Sequence, residues 1–233
     1  MKISHDTLAL LKNFSSINSN LVVKEGNTLR TISAGKNILA EAEVPEEFDT
    51  PFGIFDLSQF LAAVSLFKDP DFDFRKDHVV IRSSGSKASV KYYYSSPELL
   101  VSSDKKLTMP PTKVNFTLRV KDLNELMRAS SVLGVPDLSL ESVDDRMVLR
   151  VWNRKDPTSH DFSIDVGENE SGAEFQFLFK VENLRLVPAD YEVGISDKKV
   201  AQFESQSSNV TYWISLETDS TYTAGTKAHA ATR

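Results

Sequence analysis

Four short helical patterns recur along the chain, and each is accompanied by strand-like runs separated by turns. The helical patterns cover residues 4–17, 56–67, 121–134 and 181–187, and the leucines that open them are Leu8, Leu57, Leu123 and Leu184. The irregular spacing of these leucines favours duplicated supersecondary units with variable turns over a solenoid of fixed period. The pattern predicts four copies of a unit made of one strand, one helix and three strands.

The helices are predicted from apolar residues at helical spacing, such as Leu57 and Val64 in the second pattern. Asp56 precedes that stripe and is expected to cap the helix, and Gly134 is placed to end the third helix. Pro188 is expected to stop the fourth. Antiparallel meanders with so few helices indicate an α+β fold in which helices cover one face of the sheets.

A change in composition marks the best domain boundary. Residues 95–113 contain three prolines and four serines and show no clean periodicity. We therefore expect an N-terminal domain over residues 1–94, a connector over 95–113 and a C-terminal domain over 114–219. Residues 220–233 lack an apolar pattern and are expected to form a disordered tail.

Composition removes several classes of protein. The 233 residues include no cysteine, so disulfide scaffolds, zinc fingers and cysteine nucleophiles are excluded. No apolar run approaches the roughly 20 residues of a membrane span, and the first residues do not resemble a secretory signal. We therefore expect a cytoplasmic protein. The net charge of −6 argues against a tight or sequence-specific nucleic-acid binder.

Enzymatic motifs are missing from the sequence. The four histidines are scattered, and there is no His-Glu-x-x-His, Gly-x-Ser-x-Gly or phosphate-binding Gly-Lys-Ser/Thr motif. Asp69, Asp71 and Asp73 begin like a calcium loop, but Phe74 stands where glycine is needed and Val80 where glutamate is needed. We expect no catalytic site, metal site or cofactor.

Several segments resemble a known family. The segments are Lys2, Asp6-Thr7, residues 10–14 (Leu-Leu-Lys-Asn-Phe), Ile17-Asn18, residues 122–128 (Asp-Leu-Asn-Glu-Leu-Met-Arg), Phe203-Glu204 and residues 216–221 (Leu-Glu-Thr-Asp-Ser-Thr). Together they are similar to the DNA polymerase sliding clamps of T-even-type bacteriophages. The resemblance spans about residues 1 to 222, and the predicted order of four units in two domains is also the plan of that family.

The resemblance implies a fold, a function and partners. The fold is the DNA clamp fold, with helices lining a ring and antiparallel sheets outside. The function is a homotrimeric ring that encircles duplex DNA and tethers the phage replicative polymerase for processive synthesis, after an ATP-dependent clamp loader has closed it on DNA. Late-transcription factors are further implied partners, and the site of action is the cytoplasm of the infected bacterial host.

Charge is distributed unevenly between the helical segments and the remaining chain. Residues 4–19, 56–68, 121–134 and 180–188 contain six basic and five acidic residues, so they carry +1 while the remaining chain carries −7. A weakly positive lining with an acidic exterior suits a protein that slides on the phosphate backbone. Under the resemblance, the DNA-facing candidates are Lys12, Lys68, Lys121, Arg128, Lys180 and Arg185; without it, a solvated helix face is an equally good explanation of each.

Two strands are candidates for ring closure. Tyr92, Tyr93 and Tyr94 end the last strand of the first domain, and side chains that alternate between faces cannot all enter one core. We expect this strand to pair with residues 161–166 of a neighbouring subunit, which contain Phe162 and Ile164, in a head-to-tail interface. Tyr93 and Phe162 are the expected apolar contacts. A strand with one merely amphipathic outward tyrosine is the alternative.

Apolar residues near the connector are candidates for binding partner peptides. They are Leu99, Leu100, Val101, Met109, Pro110, Val187 and Pro188. The same residues would also serve simply to cover the seam between domains. A different overall function stays open as well, because duplicated antiparallel sheets that tile edge to edge would also suit a virion structural or assembly protein.

Overall fold

The computed structural model describes residues 1–103 and 107–225, which form two compact units. Unit 1 consists of residues 1–103, Arg185–Val187 and Asn209–Tyr212, and unit 2 of Leu107–Leu184, Pro188–Ser208 and residues 213–225. Among the described helices, none is long and apolar enough to cross a bilayer.

Unit 1 contains two helices and seven strands. In chain order they are α1 (His5–Ile17), β1 (Leu21–Val23), β2 (Gly26–Ile32), β3 (Ile38–Phe48), β4 (Phe52–Ile54), α2 (Leu57–Val64), β5 (Pro70–Phe74), β6 (His78–Ser83) and β7 (Val90–Tyr93), followed by a 3₁₀ turn at Pro97–Leu99. The pairs β1–β4 and β2–β3 and the meander β5–β6–β7 are all antiparallel.

Local capping explains where the two helices of unit 1 begin. The Ser4 hydroxyl accepts a hydrogen bond from the backbone N–H of Thr7 at 3.1 Å, and the Asp56 carboxylate accepts one from the N–H of Gln59 at 2.9 Å. The predicted cap at Asp56 is therefore confirmed. Phe14 of α1 and Phe60 of α2 are buried, and the two helices pack against each other.

Unit 2 contains one α-helix. Its elements are β8 (Val114–Leu118), α3 (Val120–Leu133), β9 (Asp137–Val143), β10 (Arg146–Trp152), β11 (Phe162–Glu168), β12 (Glu174–Lys180), a 3₁₀ turn at Val181–Asn183, β13 (Tyr191–Ser196), β14 (Val200–Ser205) and β16 (Thr221–Thr223); β15 (Val210–Ser215) is divided between the two units. One antiparallel sheet has the order β11-β10-β9-β12-β16, and β13 pairs with both β8 and β14.

Helix α3 packs against β10 and β11 over a core that includes Leu123, Leu126 and Leu149. Gly134 ends the helix in the left-handed conformation, with φ of 66°, as its position predicted. The beginning of α3 has no side-chain cap of its own. Instead the carboxylate of Asp190, which precedes β13, accepts the N–H of Val120 at 2.7 Å.

The fourth predicted helix is wrong. Only the 3₁₀ turn Val181–Asn183 forms, and the chain is irregular from residue 184 to 187. Two side chains satisfy the backbone there: Asn13 donates to the carbonyl of Arg185 at 2.9 Å, and the N–H of Val187 donates to the hydroxyl of Tyr212 at 3.3 Å. These long-range hydrogen bonds replace the helical ones, and Pro188 disfavours helical backbone at the residue before it.

The prediction that a disordered tail begins at residue 220 is also wrong. Ser220 is buried, and its hydroxyl accepts the N–H of Leu178 at 2.9 Å. Thr221–Thr223 then pair with residues 174–176 as β16, because alternating threonine and tyrosine suit a strand. The rest of the predicted tail, from residue 226 onward, lies outside the described residues, as do residues 104–106 of the predicted connector.

Candidate nucleic-acid and subunit interfaces

The solvent-facing sides of the three helices carry few charges. On α1 the exposed residues include Lys12, which has no ion pair within the described chain. On α2 the exposed side chains are neutral, namely Ser58, Gln59 and Ala62. These faces can approach a polyanion, but they offer no array of directional donors.

Helix α3 contributes two exposed cations. Lys121 and Arg128 lie on its solvent side with Asn124, Glu125 and Ser131. The Lys121 ammonium is 3.8 Å from the Glu125 carboxylate, one turn along the helix, and the lysine side chain remains 80 % exposed. This exposed ion pair is weak and leaves Lys121 able to interact with an outside anion.

The structure places the other three DNA-facing candidates off the helices. Lys68 is exposed but lies beyond the end of α2 at Val64. Arg185 is exposed in the irregular segment of unit 1. Lys180 ends β12 and donates to the Asp137 carboxylate at 2.5 Å. Their grouping on helices was wrong, because it rested partly on the fourth helix, which does not form.

Lys180 belongs to a structural ion-pair network. Asp137 is only 1 % exposed and also accepts the backbone N–H of Arg154 at 3.1 Å. The Arg154 guanidinium contacts Asp137 and pairs with both Glu217 and Asp219. A buried carboxylate needs such partners, since an unpaired charge in the interior is costly. Sequence reasoning missed this network because its members are far apart in the chain.

Strands β7 and β11 each lie at the edge of a sheet in the described structure. In β7, Tyr92 lies opposite Val79 and Val90 opposite Ile81, and both partners are fully buried. Tyr92 and Val90 therefore face the core. Tyr93, which is 62 % exposed, faces the opposite side of the sheet.

The contacts of the three tyrosines agree with this division. Tyr92 packs edge-on against Phe60 and donates its hydroxyl to the carbonyl of Asp56 at 3.1 Å. Burial raises the pKa of Tyr92. Tyr94 stacks on Phe52 with 4.8 Å between ring centroids, and burial raises its pKa to about 12. Tyr93 is the most exposed of the three tyrosines.

In β11 the alternation puts apolar residues on the core face. Phe162 lies opposite Val151 and Ile164 opposite Leu149, both of which are buried. Phe162 thus faces the core of its own sheet, whereas Tyr93 faces away from the core of its sheet. The expected contact between them across a subunit boundary stays a prediction. Val90 and Val166 complete the two core faces and were missed, although the alternation of apolar and polar residues in both strands was a signal for them.

The outer faces of the two edges are polar. On β11, Asp165 accepts two hydrogen bonds from Arg146 at 2.7 and 2.8 Å, and the guanidinium lowers the pKa of Asp165. Beside β7, the ring of His78 is 2.6 Å from the Asp77 carboxylate and lies against Tyr93. The hydrogen bond from His78 lowers the pKa of Asp77.

The candidate peptide-binding residues differ in exposure. In unit 1, Leu99 is 80 % exposed and Val101 is 42 % exposed, but Leu100 is 8 % exposed and packs beside Gly53. Val187 is half-buried. In unit 2, Met109 and Pro110 are half-buried and Pro188 is exposed. Leu100 is therefore part of the core of unit 1 and not an accessible contact.

Comparisons with known proteins agree on a single family. A family model described as "DNA polymerase processivity factor" matches residues 4–94, and one described as "gp45 sliding clamp, C terminal" matches residues 115–218. The sliding clamp of Vibrio phage KVP40 is 30 % identical over 222 residues, which cover 93 % of this chain and 99 % of that protein. The sliding clamp of Escherichia phage RB69 is 29 % identical over 95 % of this chain and 99 % of that protein.

Solved structures confirm the clamp fold. The proliferating cellular nuclear antigen of Entamoeba histolytica superposes with a TM-score of 0.66 at 10 % identity, over 91 % of this chain and 94 % of that one. The PCNA of A. fulgidus, solved with the C-terminal region of FEN-1 bound, gives a TM-score of 0.67 at 10 % identity, over 90 % and 94 %. None of these matches favours a virion structural protein. The chain therefore belongs to the sliding clamp family of T4-like bacteriophages, whose members are DNA polymerase processivity factors.

Proposed function

We propose that three copies of this chain close into a ring around duplex DNA and hold the phage replicative polymerase on its template. The observation that carries the proposal concerns the solvent-facing sides of α1 and α2 in unit 1 and of α3 in unit 2. Lys12, Lys121 and Arg128 are exposed there, and the exposed acidic residues on these helices are Asp6 and Glu125. Scattered cations attract phosphates without fixing a register, so the ring is free to slide. In this proposal the clamp is not an enzyme and uses no cofactor.

Processive synthesis is the direct test. A primer-extension assay on a circular template would contain the matching polymerase, clamp loader and ATP, with and without the clamp. The proposal expects much longer products when the clamp is present, in an ATP-dependent manner. Products of unchanged length would contradict it. Addition of late-transcription factors to a similar assay would test whether they are among the partners. The proposed site of action is the cytoplasm of the infected bacterium.

The ring is proposed to close by pairing of β7 from one subunit with β11 from the next. A continuous sheet would bring Val90 and Tyr92 to the same side as Phe162, Ile164 and Val166 and so bury both apolar edges. Tyr93 would stay on the opposite side of the sheet, near the polar residues of β11. This arrangement removes two open edges at once, which otherwise invite unspecific pairing.

The seam is testable by light scattering. Ile164→Asp should reduce the measured mass from three chains toward one, because it places a charge on the core side of the seam. Tyr93→Glu should have a smaller effect, since that side chain lies on the polar face. Val143→Asp is the matched control, because Val143 is 45 % exposed at the end of β9. A trimer that survives Ile164→Asp would exclude this seam.

A partner segment is proposed to bind the exposed apolar residues of unit 1 beside the connector, among them Leu99 and Val101. Leu99 projects its side chain into solvent, as an anchor point for an apolar partner would. Leu99→Ala should weaken polymerase binding several-fold without changing the mass of the ring. Leu66→Ala is the control, because Leu66 is 71 % exposed in the turn that follows α2. Equal effects of both changes would remove Leu99 from this role.

A further inference from the structure

Phe55 is the most exposed aromatic residue in the described chain. It lies between β4 and Asp56, the cap of α2, and is 70 % exposed. Ile54 before it and Leu57 at the start of α2 are both buried, so the backbone on either side of Phe55 is fixed to the core of unit 1. The exposed ring therefore has a defined place on the surface of this unit.

That place is at one end of the free edge of β7. Just after β7 the N–H of Tyr94 donates to the carbonyl of Asp77 at 3.0 Å, on the side of β6. Successive residues of a strand direct their backbone groups to opposite sides. The N–H of Ser95 accordingly points away from β6, and it donates to the carbonyl of Gly53 at 2.9 Å. Strand β4 thus lies on the outer side of the chain at this point, two residues before Phe55.

The same alternation leaves the backbone groups of Lys91 and Tyr93 on the outer side of β7. Across residues 1–103 and 107–225, β7 pairs with β6 alone. A strand added at this edge would therefore pair with Lys91 and Tyr93, and one of its ends would lie beside Phe55.

Phe55 lies on the core side of this edge. Tyr92 faces the core, and its hydroxyl donates at 3.1 Å to the carbonyl of Asp56, the residue that follows Phe55. Tyr93 faces the opposite side of the sheet and is separated from Phe55 by the strand itself. An added strand would thus meet Phe55 with the side chains of its own core face.

Strand β11 of unit 2 has a core face of the matching kind. Phe162, Ile164 and Val166 share that face, but they are only half-buried because β11 is an edge strand. The sheets that contain β7 and β11 are antiparallel throughout. If the seam continues that order, the beginning of β11 lies at the end of β7. Phe162, the first residue of β11, then lies beside Phe55.

The surroundings of Phe55 favour a protein surface over DNA as its occupant. The carboxylate of Asp56 is adjacent, and the exposed side chains of α2 are the neutral Ser58, Gln59 and Ala62. Contact with phosphates depends on lysine and arginine, and α2 contains neither. An aromatic ring in this setting suits an apolar side chain of another subunit.

We infer that Phe55 of one subunit packs against Phe162 of the neighbouring subunit and closes the core side of the subunit seam. The inference rests on the proposed pairing of β7 with β11 and adds a contact outside those two strands. The contact removes both rings from water, and two aromatic rings attract each other beyond the effect of burial. Tyr93 is the competing neighbour of Phe162.

The absence of cysteine from the sequence allows one introduced thiol to report on one position. Phe55→Cys would react with dithiobisnitrobenzoate, with no DNA or other protein present, at chain concentrations above and below those at which light scattering detects three chains. We expect the thiol to react at least about ten-fold more slowly in the trimer than in the single chain. Leu99→Cys is the matched control, because Leu99 is 80 % exposed and lies outside the seam, so its rate should be the same at both concentrations.

Two outcomes separate this inference from the proposed ring. A trimer in which the thiols at positions 55 and 99 react equally fast would overturn the inference and leave the ring intact. An unmodified chain that never forms a trimer would reject the ring, and the inference with it.

Cross-linking of mixed subunits tests the contact itself. Phe55→Cys and Phe162→Cys chains would be mixed as single chains, concentrated to form trimers and treated with a bismaleimide of short spacer. We expect covalently linked pairs on a denaturing gel, whereas each variant alone should give none. Val166→Cys in place of Phe162→Cys should link poorly, because Val166 lies about 13 Å further along β11. Linkage through Val166→Cys but not through Phe162→Cys would overturn the stated contact.

Two further variants complete the test. Tyr93→Cys mixed with Phe162→Cys should link less than Phe55→Cys does, and the reverse order would assign Phe162 to Tyr93 instead. Phe55→Ala should raise the chain concentration needed for half-maximal trimer formation about ten-fold, as loss of an aromatic contact in an interface does. Glu25→Ala, an exposed change before β2, should leave that concentration unchanged. Equal values for the two variants would contradict a role of Phe55 in the seam.

Discussion

Unit 1 carries two helices side by side, whereas unit 2 carries one helix and a single 3₁₀ turn in the place of the second. The sequence patterns of the two regions are similar, yet α2 runs for eight residues and the turn Val181–Asn183 for three. The difference lies in the hydrogen bonds that follow. Asp56 starts α2 locally, but the backbone after residue 183 is held by Asn13 and Tyr212 instead. A helical pattern in the sequence is therefore not enough to form a helix where side chains from distant residues already hydrogen-bond to the backbone.

The two units also differ in the role of a lysine near these helical segments. Lys12 in unit 1 stands on a regular helix and extends into solvent. Lys180 in unit 2 has the same charge and lies just before the turn, but it neutralises the buried Asp137. The first lysine is open to an outside anion and the second stabilises the fold. Substitution of Lys180 should therefore affect stability much more than substitution of Lys12.

The largest effect is expected from Lys180→Glu. Loss of the ammonium leaves Asp137 with Arg154 alone and adds a second carboxylate beside it. Breaking a buried ion pair by removal of one partner costs about 3–5 kcal/mol. We expect a loss of about 3 kcal/mol in the free energy of unfolding, measured by urea denaturation and read out by tryptophan fluorescence.

Lys12→Glu is the matched control for that prediction. Its side chain is exposed and has no ion pair in the described structure, so the free energy of unfolding should change by less than about 0.5 kcal/mol. If both variants were equally stable, the ion pair of Lys180 with Asp137 would not stabilise the fold. The two units would then differ in their helices but not in the role of these two lysines.

A smaller effect is expected at the start of α1. Glu46 is buried in β3, where its carboxylate accepts hydrogen bonds from the hydroxyl of Thr7 at 2.6 Å and from the N–H of Ser4 at 2.5 Å. Glu46→Gln keeps the shape of the side chain but loses the charge and one acceptor. It should lower the free energy of unfolding by about 1–2 kcal/mol. Glu43→Gln, an exposed change in the same strand, is the control.

The pH dependence of stability checks the charge directly. Burial alone would raise the pKa of Glu46, but the hydrogen bonds from Thr7 and Ser4 hold it below its ordinary value of 4.5. The unfolded chain therefore binds more protons than the folded one in this range. The stabilisation is complete above pH 4.5 and is lost as the pH falls through the lower folded pKa. Glu46→Gln should flatten this part of the stability profile, and an unchanged profile would contradict the assignment.

The equivalent cap in unit 2 should matter less. Asp190 accepts the N–H of Val120 at the start of α3, and this hydrogen bond lowers the pKa of Asp190 below its ordinary value of 3.8. Because this carboxylate is partly exposed to solvent, water can replace it. Asp190→Asn should lower the unfolding midpoint less than Glu46→Gln does. The stability that it removes should be complete above pH 3.8 and should disappear as the pH falls through the lower folded pKa. A larger drop for Asp190→Asn would reverse the ranking of the two caps.

Local signals in the sequence predicted most of the fold. Asp56 and Gly134 marked helix ends correctly, because capping depends on the residue itself and its immediate neighbours. The fourth helix was wrong because Asn13 and Tyr212 are far from residues 184–187 in the chain. The strand at Thr221–Thr223 was missed because three residues with no apolar pattern give almost no periodic signal.

The candidate sites were predicted less completely, because the residues that decide them are also far apart in the sequence. The sequence shows that three adjacent tyrosines cannot share a face, but the pairing with β6 decides that Tyr93 is the outward one. Lys180 looked like a helix cation because Asp137, its partner, is 43 positions away.

The smallest change in stability, with the clearest change in function, is expected from Lys12→Glu combined with Arg128→Glu. Both side chains are exposed on helices, one in each unit, so the unfolding free energy should stay within about 0.5 kcal/mol of the original. The proposed contacts with phosphates should be lost, so processive synthesis should become shorter and more sensitive to salt than for the unmodified clamp. Primer extension at several salt concentrations measures both effects. Glu25→Lys and Glu43→Gln serve as exposed controls away from the helices, and full processivity of the double variant at physiological salt would remove both cations from the DNA-facing surface.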